Sequence, residues 1–203
     1  MLASGSTLHA TSRVEDTDRV LLLACSQGFG INAFNISDPS SITLIQNPTF
    51  FSLTGPVGNP ARQDTAHPHQ AILDPTGNFL IVPDLGADEI RIFALNPTTL
   101  AYRAVPGIKT ALGSGPRHAA FVSGASNRTF LYVLNELSNT IVGYDVTYNR
   151  NSTLGFTQLF STSSHGDDTT RPNGTTAAEI LLSVSHSLAS PVPFWVLKGL
   201  MAD

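Results

Sequence analysis

The chain has 203 residues, 41% of them apolar and only 13% charged, with 16 Gly, 13 Pro and a formal net charge of −4 at pH 7. That length can bury a sizeable core, and low charge with frequent turn formers favours an all-β protein over a helical bundle. No run of Lys or Arg occurs, which argues against nucleic acid as a partner, and no stretch approaches the ~20 apolar residues of a membrane span.

The chain opens on Met1-Leu-Ala-Ser-Gly-Ser6, which has no charged segment followed by an apolar one, so no signal peptide is visible. Four glycosylation sequons, at Asn35, Asn127, Asn151 and Asn173, exceed the roughly two that chance supplies. They point to a secretory origin while the start of the chain points away from one, and localisation stays open.

The first patterned stretch runs from Val20 through the apolar run to Cys25, across a polar turn, and on to Ile31-Asn-Ala-Phe34. Cys25 is the single cysteine; it permits no intrachain disulfide or Cys-based zinc site and reads as a small buried apolar residue. A second stretch, Phe79-Leu-Ile-Val-Pro-Asp to Ile90-Arg-Ile-Phe93, and a third, Phe130-Leu-Tyr-Val-Leu-Asn to Ile141-Val-Gly-Tyr144, repeat the scheme of apolar strand, short polar turn and strand closing on an aromatic. The closing aromatics recur about every 50–60 residues, slightly more than the ~40–50 residues of one propeller blade.

Two of these units carry a further strand upstream. Pro68-His-Gln-Ala-Ile-Leu73 is followed by the turn former Asp74-Pro-Thr-Gly77, and Pro116-Arg-His-Ala-Ala-Phe121 aligns with it. A third copy begins at Ala178-Glu-Ile-Leu-Leu-Ser183. Repetition requires a turn and an apolar strand next, but Val184–Asp203 abandons the pattern. Val184-Ser185 is what the codons of an intron donor site would encode, so the tail is expected to derive from a retained intron, with the start of the chain shortened as well. The expected organisation is a partial β-propeller over 1–183, about three blades and the start of a fourth, with an aberrant tail over 184–203. An unclosed ring leaves apolar blade faces wet, which predicts poor solubility.

The segment His67-Pro-His-Gln-Ala-Ile-Leu-Asp-Pro-Thr-Gly77, continued by the strands to Phe93, resembles the seven-bladed lactonase propellers. So do Gly113-Ser-Gly-Pro-Arg-His-Ala-Ala-Phe121 and Phe130-Leu-Tyr-Val-Leu-Asn-Glu-Leu137, and Gly58-Asn-Pro-Ala-Arg-Gln-Asp64 is similar to the fungal branch. The family groups 6-phosphogluconolactonases with fungal 3-carboxy-cis,cis-muconate cyclases, and its seven blades need about 350 residues. In the muconate-cyclase relatives a His, an Arg, a Glu and a second Arg gather at the channel mouth. The resemblance puts His69, Arg117 and Glu136 at the first three positions; the segment carrying the second Arg has no counterpart here.

The repeat places His69 and Arg117 at equivalent points on successive inner strands, facing the channel, with Glu136 closing the next strand. An Arg fork binds a carboxylate or phosphate bidentately, and His or Glu can move the proton that lactone chemistry requires. Each residue also has a plainer reading: His69 bonding a neighbouring backbone carbonyl, Arg117 in an inter-blade salt bridge, Glu136 as a turn carboxylate. His67 and His69 stand at i, i+2, as metal ligands can, but no third ligand accompanies them, and no metal or cofactor is expected. His118 is expected to face away from His69 and pack between blades, and Asp84 and Asp88 to cap turns. Three functions are consistent with the chain: metal-independent hydrolysis of a sugar-acid lactone such as 6-phosphogluconolactone, cycloisomerisation of 3-carboxy-cis,cis-muconate, or a catalytically inactive propeller. The partner in the first two is a small anionic lactone or muconate.

Overall fold

The computed structural model describes residues 10–12, 21–26, 30–38, 40–166, 174–182 and 194–199. Among these residues, fifteen strands form four antiparallel sheets, laid down in chain order apart from one extra pairing in the first. The first contains β1 (Ala10–Ser12), β2 (Leu21–Ser26), β3 (Gly30–Asp38) and β4 (Ser41–Leu44), with β5 (Thr49–Phe50) also paired to β3. The second contains β6 (Ile72–Leu73), β7 (Phe79–Asp84), β8 (Glu89–Leu95) and β9 (Tyr102–Lys109). The third contains β10 (Pro116–Ser123), β11 (Thr129–Asn135), β12 (Thr140–Tyr148) and β13 (Leu154–Ser163). The fourth pairs β14 (Thr176–Leu182) with β15 (Phe194–Gly199).

These are the blades that the repeat implies, with outer strands β9 and β13 added. The inner strand of the second blade is shorter than the sequence suggests: only Ile72–Leu73 are ladder-paired, and Pro68 joins Asp84 through one isolated bridge. From the tail, Phe194–Gly199 lies antiparallel to β14. Ser183, the residues to 193, Asn173 and the side chain of Cys25 lie outside the described residues.

Alternation along β7 explains how blades stack. Leu80 and Val82 join Ile31, Ala33, Phe93 and Tyr102 in a core against the first blade. Phe79 and Ile81 turn the other way, onto Leu131, Val133 and Tyr144 of the third. A strand covered on both faces loses the polar alternation of a half-exposed one, which is why Phe79–Val82 reads as an unbroken apolar run. The fourth blade continues the series, with Ala177 and Ile180 against Leu134.

Turns tie each blade to the next. Asp88 and Asn139 occupy equivalent places in the β7–β8 and β11–β12 turns, both with positive φ, 46° and 54°, which Asp and Asn tolerate better than most residues. The Asp88 carboxylate accepts from Gly113 N at 2.6 Å and Gly115 N at 2.9 Å, on the loop that leads into β10. Asn139 Nδ2 donates to Thr175 O at 3.1 Å, just before β14. Asp84 caps its turn as expected, accepting from Ala87 N, but it also receives His67 N at 2.8 Å and Arg91 Nε at 2.8 Å.

Candidate active site

The inner strands begin side by side, so the residues that open them converge. His69 N donates to Pro83 O, and Glu136 N donates to Gly115 O, each at the junction of an inner strand with its neighbour. The repeat therefore brings His69, Arg117 and Glu136 to one open cleft of about 230 Å³, lined also by Ala61, Arg62, Asp64, His67 and Leu85.

Glu136 is the centre of this cluster. Its side chain is 1% exposed, and each carboxylate oxygen meets a guanidinium: Oε1 accepts from Arg62 Nη2 at 2.5 Å, and Oε2 accepts from Arg117 Nη1. A buried carboxylate is tolerated only when paired and hydrogen-bonded, so Glu136 is far more constrained than a surface turn residue. Arg117 is anchored a second time, donating from Nε to Ala178 O of the fourth blade at 2.7 Å. Its inter-blade contact and its contact with Glu136 thus coexist.

Arg62 had no signal in the repeat. It lies on the loop before the second blade, where Arg62 N donates to Asn59 O at 3.0 Å. Buried Gln63 locks this loop: its Oε1 accepts from Asn59 N at 2.7 Å, and its Nε2 donates to Leu85 O at 2.8 Å. Gly86 allows the approach, since a Cβ there would lie 1.8 Å from Thr65 O. The guanidinium that pairs with Glu136 Oε1 comes from Arg62, which the resemblance did not single out.

At the rim, the His67 ring Nε2 lies 2.8 Å from Asp64 Oδ1. This hydrogen bond holds the Asp64 carboxyl below the ordinary carboxylate range. His67 and His69 do not share a ligand set, and among the described residues no group of three or more His, Cys, Asp or Glu is placed to hold a metal ion.

The expected orientation of His118 needs correction. Its ring lies edge-on to that of His69, with centroids 5.2 Å apart, rather than turned away from it. The pairing of β10 with β11 shifts register between Pro116 and His118, and such a bulge breaks the two-residue alternation on which the expectation rested. His118 does span the blade interface, since its Nδ1 lies 2.6 Å from Glu179 Oε1 on β14.

Two arginines face the buried Glu136 carboxylate, with the exposed Asp64 as a second acid on the lining, and the guanidiniums suit an anionic group. A buried carboxylate and a nearly buried imidazole beside it supply groups able to move a proton.

The family model described as "Lactonase, 7-bladed beta-propeller" matches residues 3–188. A protein of Arthroderma benhamiae named "Probable 6-phosphogluconolactonase" is 34% identical over 178 residues, covering 86% of this chain and 43% of that protein. The 6-phosphogluconolactonase of Yersinia pestis strain Pestoides F is 32% identical over 135 residues, 66% of this chain and 36% of its own. The chain thus spans less than half the length of these curated relatives. Among solved structures, a Lactobacillus plantarum protein superposes with a TM-score of 0.66 at 26% identity, covering 80% of this chain and 44% of that one. A periplasmic gluconolactonase of Pseudomonas aeruginosa shares the fold, with a TM-score of 0.65 at 24% identity over 90% of this chain and 48% of that one.

Proposed function

The chain belongs to the seven-bladed β-propeller lactonases, and from that footing we propose that its cleft binds an anionic sugar-acid lactone such as 6-phosphogluconolactone and opens the ring by hydrolysis. The observation that carries this reading is Glu136, buried between two arginines in a cleft that His69 also lines. The names of the relatives support the substrate class.

In the reaction, water oxygen bonds to the lactone carbonyl carbon while the water proton passes to His69 or Glu136. Arg117 faces the negative charge that develops on the carbonyl oxygen, where a fixed guanidinium stabilises the transition state more than the ground state. The bond from the carbonyl carbon to the ring oxygen then breaks. The proton held by the base goes to that oxygen, leaving an open-chain hydroxy acid that ionises to a carboxylate.

The test is turnover of 6-phosphogluconolactone by the full chain above the spontaneous rate, with 3-carboxy-cis,cis-muconate assayed in parallel. Lactone hydrolysis that falls about a hundredfold or more in His69→Ala and Arg117→Ala is expected, in the range that positioned acid–base and charge-stabilising groups contribute. Turnover of the muconate alone would make the chain a cycloisomerase, and turnover of neither would make it a non-catalytic propeller; either overturns the proposal.

A further inference from the structure

Arg62 and Arg117 hold the same carboxylate in different ways. Arg117 is 17% exposed and is gripped by both Glu136 and the Ala178 carbonyl, so it is fixed in place. Arg62 is 38% exposed, reaches Glu136 from a loop, and faces the open side of the cleft. A partly exposed ion pair is worth little, whereas a phosphate offers an arginine several acceptor oxygens in a bidentate arrangement. Exchanging one for the other leaves Glu136 with Arg117 as its remaining partner. It also has a chemical consequence, because once Arg62 leaves, Oε1 of Glu136 has a lone pair directed into the cleft.

We propose that Arg62 is the specificity-determining residue of this cleft: it exchanges Glu136 for the phosphate of a phosphorylated sugar acid or lactone, and so uncovers the Glu136 carboxylate as that ligand binds. The proposal rests on the lactonase reading for the rest of the ligand, and on this chain's own geometry for the role of Arg62. Two features fit an exchange. Gln63 fixes the backbone beside Arg62 through Asn59 N and Leu85 O, leaving the side chain as the part that swings. Asp64, on the rim of the cleft, is 72% exposed and hydrogen-bonded to His67, so solvent and that contact moderate its repulsion of an incoming anion.

Calorimetric titration of the full chain with 6-phosphogluconate and with gluconate, the phosphorylated and unphosphorylated forms of one sugar acid, tests this. The phosphorylated acid is expected to bind at least about tenfold more tightly. Arg62→Ala should weaken it by about ten- to a hundredfold, as loss of a charge-assisted bond implies, with a much smaller loss for gluconate. Arg62→Lys should recover part of the preference. A purely structural Arg62 would weaken both ligands alike, and that result, an unchanged preference in Arg62→Ala, or no binding of 6-phosphogluconate to the unmodified chain would overturn the proposal. An intact phosphate preference without lactone turnover would remove the hydrolytic reading and leave this one standing. Lactone turnover with a preference indifferent to Arg62 would do the reverse.

Discussion

Glu136 is held by two ion pairs whose surroundings differ, and their energetic weights should differ with them. Arg117 is largely buried and bonded on two sides, so Arg117→Ala strands a buried charge and should cost about 3 kcal/mol or more. Arg62 is partly solvated and Glu136 keeps Arg117 in its absence, so Arg62→Ala leaves one buried carboxylate oxygen without a partner and should cost about 1–2 kcal/mol. Chemical denaturation of the two variants measures the contrast, and equal losses would mean that the pairs are equivalent. The same residues show what the sequence can reveal. His69 and Arg117 were legible because each opens a copy of a repeated strand, and Glu136 because the resemblance carried it. Arg62 and Gln63 lie on a loop with no second copy, and the partners that give them meaning, Glu136 and Leu85, are 74 and 22 residues away in sequence. His118 was misjudged for a local reason: an ideal strand alternates, and a bulge at the start of β10 does not.

At the scale of elements, the turns decide where the cleft residues stand. Asp88 stitches the second blade to the loop entering the third, with its side chain buried and its carboxylate receiving two backbone amides. Gly115, at the end of that loop, has a φ of +61° and would place a Cβ 2.5 Å from Leu137 Cγ, so the loop has little freedom to adapt. Asp88→Ala leaves both amides without their acceptor and should cost about 3 kcal/mol; a melting temperature within a degree of the unmodified chain would contradict that role. Gly86→Ala drives a Cβ into the Thr65 carbonyl and should displace the loop that carries Arg62. Its signature is a loss of phosphate preference larger than its loss of stability. The strands of each repeat were readable from their apolar runs and turns, whereas outer strands β9 and β13 were not. Burial is low along both, apart from Tyr102 and Leu154 at their first positions, so they carry little of the apolar signal that marks a core strand.

Across the whole molecule, blade-on-blade packing covers β7 fully and β8 apart from Glu89 and Arg91, but leaves apolar side chains at the margins. Leu159 and Phe160 of β13 and Leu181 and Leu182 of β14 are exposed. Exposed apolar surface of this kind favours association, so the full chain is expected to elute from a sizing column as oligomers or aggregates; a monodisperse monomer would contradict this. The blade interfaces bury Tyr102 and Tyr144, and Tyr148, 37% exposed, packs beside Phe79. Desolvation raises the ionisation of Tyr102, Tyr144 and Tyr148 above the ordinary value of 10, and Asp74 adds to the shift at Tyr148. A group whose pKa is raised on folding contributes stability that is complete below its unfolded pKa and fades as pH rises beyond it. Stability should therefore hold up to about pH 10 and fall above it, with the tyrosinate absorbance of Tyr102 and Tyr144 appearing together with unfolding rather than before it. The strand order and the stacking of blades were legible because they follow from one repeated pattern; the margins were not, because exposure depends on what each face meets. A catalytic role for the Glu136 carboxylate, as opposed to a structural one, is tested most directly by the initial rate of 6-phosphogluconolactone hydrolysis by the full chain and by Glu136→Gln. The predicted result is a fall of about a hundredfold or more in a variant that still melts cooperatively, its melting temperature lowered by loss of the ion pair to Arg117, and equal rates in the two proteins would contradict it.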